Sequence, residues 1–74
     1  MIKIYSTPTC PYCDMAKNYF KEKKIEYEEA DVSSDTKARE EMISKSSQMG
    51  VPVIDINGTI IVGFNRTEID NALK

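Results

Sequence analysis

The sequence predicts an α/β fold: a four-stranded mixed sheet flanked by helices, in the order β-α-β-α-β-β-α. Three observations predict it. Strand-like and helix-like apolar periodicities alternate along the 74 residues. The first strand–helix–strand unit needs a crossover helix, which makes its two strands parallel and their connection right-handed. Asn57-Gly58 then separates two apolar runs as a two-residue hairpin turn, because both positions tolerate positive φ; the last two strands are therefore antiparallel. Helices on both faces of the sheet follow from that layering. A chain of this length is expected to form a single domain, residues 1–74.

Each element has a local reason. Ile2-Lys3-Ile4-Tyr5 alternates apolar and polar and reads as the first strand. Thr7-Pro8-Thr9 is a loop, since Pro8 biases Thr7 away from helix. The first helix is expected to start at Cys10 or Pro11, proline being favoured at the first helical position. Ala16, Tyr19, Phe20 and Lys23 give it one apolar stripe, with the Lys23 stem lying along it. The cationic end from Lys21 to Lys24 suits the C-terminal dipole. Glu26 to Val32 is the second strand, and any of Ser33, Ser34 or Asp35 can cap the next helix. That helix, from about Thr36 to Ser47, turns Ala38, Met42 and Ile43 to the core. Met42 and Met49 are core filler and Gly50 ends the segment. Val51 to Ile56 is the third strand and Thr59 to Val62 the fourth. Gly63-Phe64 leads into a last helix, which Asn65 and Glu68 open as a capping box and whose apolar side is Ile69, Ala72 and Leu73.

Composition excludes several classes of function. A 41% apolar content suffices for one small core. Ten basic and twelve acidic residues are interspersed for a net charge of −2, which argues against a nucleic-acid footprint. No run reaches the roughly 18 apolar residues of a membrane span. The strand-like start lacks the layout of a signal peptide, so a cytoplasmic location is expected.

The chemistry centres on Cys10-Pro11-Tyr12-Cys13, between a predicted strand and a predicted helix. A disulfide between these two cysteines closes so small a loop that it constrains the unfolded chain little, which makes a purely structural bridge a poor explanation. In a reducing compartment such a pair is catalytic or metal-binding. Zinc needs four ligands, and the chain has two cysteines and no histidine. A metal or iron–sulfur cluster shared between chains remains the alternative of another class.

The redox reading assigns a role to each residue. Cys10 lies where unpaired N–H groups and the positive end of the dipole favour an anion, and cysteines so placed ionise more readily. Its thiolate attacks a substrate disulfide and leaves a mixed disulfide. Cys13, one turn on and on the same side, resolves it. Pro11 fixes the turn, and Tyr12 borders the cleft. Lys17, on the same helical face as Cys13, can support the thiolate or simply be solvated. Pro52, at a strand start, is a candidate for a cis peptide that presents the Val51 backbone beside Cys10, where an extended substrate could pair as an added strand.

These residues resemble the glutaredoxin family. Cys10-Pro11-Tyr12-Cys13 is its dithiol signature, Val51-Pro52 is similar to the second half of its Thr-Val-Pro motif, and Gly63-Phe64 stands where it has Gly-Gly. The resemblance covers almost the whole chain and implies a thioredoxin-like fold. It also implies a glutathione-dependent disulfide oxidoreductase that reduces protein disulfides or glutathione mixed disulfides. Such a protein carries no permanent cofactor; glutathione is its co-substrate, disulfide-containing proteins are its partners, and a monomer is expected. On this resemblance Cys10 and Cys13 are catalytic. The glutathione site comprises Tyr12, Arg39, Val51, Pro52, Gly63, Phe64, Asn65 and Arg66: Val51 pairs with the glutathione backbone, Asn65 and Arg66 receive its γ-glutamyl carboxylate, and Arg39 its glycine carboxylate. The sequence departs from the family pattern at Thr7, at Met49-Gly50 before Val51, and at Arg66-Thr67. Gly63-Phe64 is also similar to glutaredoxin-like electron donors of ribonucleotide reductase, which implies as an alternative a redoxin reduced by thioredoxin reductase.

Overall fold

The computed structural model describes residues 2–48 and 50–73. Strands β1 (Ile2–Ser6), β2 (Glu28–Asp31), β3 (Val53–Ile56) and β4 (Thr59–Val62) alternate with helices α1 (Pro11–Glu22), α2 (Thr36–Ser46) and α3 (Arg66–Leu73) in the expected order. The four strands form one mixed sheet, ordered β2-β1-β3-β4. β2 runs parallel to β1 with Ser6 opposite Asp31; β3 is antiparallel to β1 with Ile4 opposite Ile54, and β4 antiparallel to β3 with Ile54 opposite Ile61. This is the thioredoxin-like fold.

The strands' period of two sorts the apolar side chains between two faces. Ile2, Ile4, Ile54, Ile56 and Ile61 meet Ala16, Tyr19 and Phe20 of α1 and Ile69 of α3. On the opposite face Tyr5, Ala30 and Val53 meet Ala38 and Met42 of α2. Fully burying a side chain of this kind contributes about 1.5–3 kcal/mol, so the two clusters position the helices. α1 is thereby fixed with its N-terminus just beyond the end of β1, the end that carries Cys10.

One choice that the sequence left open is made, and three boundaries differ from the sequence expectation. Of the three candidate caps, Asp35 alone accepts the Ala38 N–H, at 3.1 Å. α2 ends at Ser46, before Gly50, because Ser47 takes a left-handed φ of 61° and its N–H reaches the Ile43 carbonyl at 2.8 Å. β3 starts at Val53 rather than Val51, since Pro52 has no N–H for the ladder; the Val51–Pro52 peptide is cis, as the sequence suggested. β2 starts at Glu28 rather than Glu26, although Tyr27 still packs on Phe20 with ring centroids 5.8 Å apart. The core role expected of Met49 lies outside the described residues. Among the described residues no helix is long and apolar enough to cross a membrane.

Candidate active site

Cys10 is the N-cap of α1, with extended backbone, and Pro11 is the first helical residue. An N-cap side chain ordinarily supplies an acceptor to the orphan N–H groups of the first turn. Here the acceptor is sulfur: the Cys13 N–H donates to Cys10 Sγ at 3.1 Å. The helix thus holds the sulfur at its positive end, beside the orphan N–H groups of the first turn. Cys10 keeps 9% of its surface and Cys13 none. Both thiols are free.

The two sulfurs are therefore unlike. Burial first, and then the hydrogen bond with Cys10, push the Cys13 thiol up to about 12, against the opposing pull of the Thr7 backbone and the Lys17 charge. Cys13 is a protonated, enclosed thiol one turn behind a sulfur at the helix mouth. That asymmetry allows attack by Cys10 on an incoming disulfide and resolution by Cys13.

The other predicted site residues fall into three groups. Tyr12 projects from the motif with 61% of its surface exposed. Pro52 and Gly63 are joined, the Gly63 N–H donating to the Pro52 carbonyl at 2.8 Å, with Gly63 at a φ of +80° that favours glycine. Beyond it Phe64 packs edge-on against Tyr19, centroids 5.8 Å apart, and the Arg66 guanidinium lies 5.1 Å over the same ring. Met15, Asn18, Tyr19, Glu22, Phe64 and Arg66 line an open groove of about 260 Å³ beside α1. Asn65 caps α3, its side chain accepting the Glu68 N–H at 3.1 Å. The N–H groups of Arg66 and Thr67 at the head of that helix have no intrahelical partner.

Arg39 stands apart from these. Its side chain is exposed on α2 and, among the described residues, makes no ion pair, while Val51 packs against the cluster of Ala38 and Met42 on α2's inner side. The sequence reading missed three partners. Glu29 of β2 accepts Lys17 Nζ at 2.9 Å, Ser6 Oγ donates to the same carboxylate oxygen at 3.3 Å, and the Tyr19 hydroxyl donates to Asp70. Only the strand register and the packing of α3 on α1 bring these together, so no spacing in the sequence signals them. Among the described residues no group of three or more Cys, His, Asp or Glu side chains converges as a metal site.

Comparison with known proteins gives concordant results. The family model described as Glutaredoxin matches residues 2–61. An uncharacterised glutaredoxin-like 8.6 kDa protein in the rubredoxin operon of Clostridium pasteurianum is 58% identical over 74 residues, covering all of this chain and 99% of that one. Glutaredoxin 3 of Escherichia coli is 37% identical over 62 residues, 84% of this chain and 75% of that protein. The crystal structure of a thioredoxin-like protein superposes with a TM-score of 0.91 at 29% identity, covering 97% of this chain and 99% of the other.

Proposed function

The chain belongs to the glutaredoxin family, and from that premise we propose that it is a glutathione-dependent thiol–disulfide oxidoreductase that reduces protein disulfides or glutathione mixed disulfides. The observation that carries this reading is the asymmetry of the two cysteines: Cys10 Sγ caps α1 and accepts the Cys13 N–H, while Cys13 is enclosed behind it. The Cys10 thiolate attacks one sulfur of a substrate disulfide and releases the other as a thiolate. Cys13 then attacks Cys10 Sγ and frees the second substrate sulfur. Two glutathione thiols, themselves becoming a disulfide, reduce the Cys10–Cys13 bond and restore the protein.

The glutathione site in this reading uses the Val51 backbone, the bordering Tyr12 ring, and the Gly63–Phe64 corner held by the Gly63-to-Pro52 hydrogen bond. The unpaired N–H groups at the head of α3, with Asn65 and Arg66, suit a carboxylate. Arg39 supports the glycine carboxylate only if its exposed side chain folds toward the site. The protein acts as a one-domain cytoplasmic monomer without a resident cofactor.

A second reading, a redoxin fed by thioredoxin reductase, is favoured by one observation. The Arg66 guanidinium is engaged on the Tyr19 ring beside Phe64, where a free cation would serve a carboxylate better. One assay separates the two. The oxidised protein is offered glutathione with glutathione reductase, or thioredoxin reductase alone, and nicotinamide cofactor consumption is followed. Turnover with glutathione is expected; turnover with thioredoxin reductase alone would replace the first reading with the second.

A further inference from the structure

The resolving step requires an anion at a place built to keep its proton. Cys13 is fully buried, and its attack on Cys10 needs the thiolate. The arrangement around Lys17 meets that need. Lys17 follows Cys13 by four residues on α1, which puts the two side chains on one face with Cβ atoms about 6 Å apart. The lysine side chain is only 18% exposed, and it is clamped: Nζ lies 2.9 Å from Glu29 Oε2 and 3.4 Å from Asp14 Oδ1. Glu29 is in turn fixed by buried Ser6, whose hydroxyl donates to the same Oε2 at 3.3 Å. Ser6 ends β1 and leads directly to Thr7, whose backbone borders the Cys13 thiol. A surface lysine usually spends its charge on water; this one is held by Asp14 of α1 and Glu29 of β2 on the face of α1 that also carries Cys13.

We propose that Lys17 is a positioning residue for resolution: its ammonium, clamped by Glu29 and Asp14, favours the Cys13 thiolate as that sulfur attacks the mixed disulfide at Cys10. The proposal deepens the oxidoreductase reading and rests on it. In the step, a bond forms between Cys13 Sγ and Cys10 Sγ, and the bond from Cys10 Sγ to the substrate sulfur breaks. The electron pair leaves on the substrate sulfur, which takes up the proton that Cys13 released. The two protein thiols are oxidised to one disulfide as the substrate disulfide is reduced to two thiols. The titratable groups around Cys13 are Cys10, Asp14 and Lys17 from α1 and Glu29 from β2; Ser6 and Thr7 of the β1 end carry no charge. The two carboxylates offset part of the lysine charge, so its loss should cost about tenfold in thiolate, not more.

The test uses the reduced protein and an aromatic disulfide that releases a coloured thiolate. Stopped-flow mixing gives a first release when Cys10 attacks and a second when Cys13 resolves. Lys17→Met, which keeps the apolar stem, should slow the second release about tenfold and move its pH profile to higher pH, leaving the first release unchanged. Lys17→Arg should restore the second release to within about threefold. Lys17→Gln gives the same reading should the methionine variant fail to fold. A second release at wild-type speed in the Met and Gln variants overturns the proposal. So does slowing without a shifted pH profile or without rescue by arginine, which would mark a merely structural role. A wild-type protein with no second release at all would overturn the dithiol mechanism itself, a result distinct from either.

Discussion

The environment of Cys13 predicts a large and selective protection from alkylation. With the thiol pushed up to about 12, about one molecule in 100,000 carries the thiolate at pH 7. An ordinary cysteine, with a pKa of about 8.5, is about 3% ionised there, roughly 3,000-fold more. Part of that deficit is recovered, because a more basic thiolate is a better nucleophile. A Brønsted slope of about 0.45 across about 3.5 units returns roughly 40-fold. The net expectation is that Cys13 reacts with iodoacetamide about 100-fold more slowly in the folded protein than in the same chain unfolded in urea, before any steric exclusion by its complete burial. The assay is a timed alkylation at pH 7 of the fully reduced protein, with peptide mapping by mass spectrometry. The urea-unfolded chain supplies the reference rate for each cysteine. Label should collect on Cys10 first. A folded-state Cys13 rate within threefold of its unfolded rate would refute the reasoning, because neither burial nor the hydrogen bond with Cys10 could then be holding its proton.

Three further outcomes follow from other parts of the molecule. Cys13→Ser should still reduce glutathione mixed disulfides of small thiols but lose at least tenfold on protein disulfides, whereas Cys10→Ser should lose both; coupled reductase assays on the two substrates check this. Asn65→Ala removes the acceptor of the Glu68 N–H and should destabilise the protein by about 1 kcal/mol, read as a shift of about 4–8 °C in the melting midpoint. The Tyr5 hydroxyl, together with Lys3 and Lys45, holds the Glu41 carboxyl down to about 2 from the usual 4.5. Because the folded value lies below the unfolded one, this contribution is fully present above about pH 4.5 and is lost as pH falls toward 2. With 43% of the side chain exposed, solvent screening keeps it near or below about 1 kcal/mol. Urea midpoints at pH 6 and pH 3 should therefore fall less in Glu41→Gln than in the wild type, and equal falls would discount the network.

The features legible in the sequence are those whose cause is local. Asn57-Gly58 needed only its own φ preferences, and it sits at φ of 51° and 99° in the turn between β3 and β4. The start of α1 was legible because proline is favoured at the first helical position, and Cys10 is indeed the N-cap before Pro11. The boundaries that moved were set by features with competing local solutions: Ser33, Ser34 and Asp35 were equivalent until the start of α2 selected Asp35, and Ser47 closed that helix in a left-handed conformation that serine seldom adopts. What the sequence could not show is pairing at a distance. For Lys17 the sequence left support of the thiolate and plain solvation both open; the parallel register of β1 and β2 is what carries Glu29 beside it. Arg66 reads as an available cation until α3 packs back across α1 and lays it on Tyr19.

That last contact bears on the proposed glutathione site. Phe64 forms a T-shaped pair with Tyr19, and Lys23 Nζ and the Arg66 guanidinium lie 5.0 and 5.1 Å from the centroid of the Tyr19 ring. Its hydroxyl is tied to Asp70, and Lys23 Nζ reaches the same carboxylate at 3.9 Å. Drawing Arg66 to a glutathione carboxylate thus means giving up a contact of about 0.5–1 kcal/mol, a penalty of about two- to fivefold in affinity. Tyr19→Leu keeps an apolar side chain but removes the ring face and the hydroxyl bonded to Asp70, so it should tighten glutathione use by that factor, seen as a lower KM for glutathione at an unchanged kcat. If the same variant left the glutathione KM where it was, Arg66 would take no part in the carboxylate site, and the head of α3 alone would have to supply it.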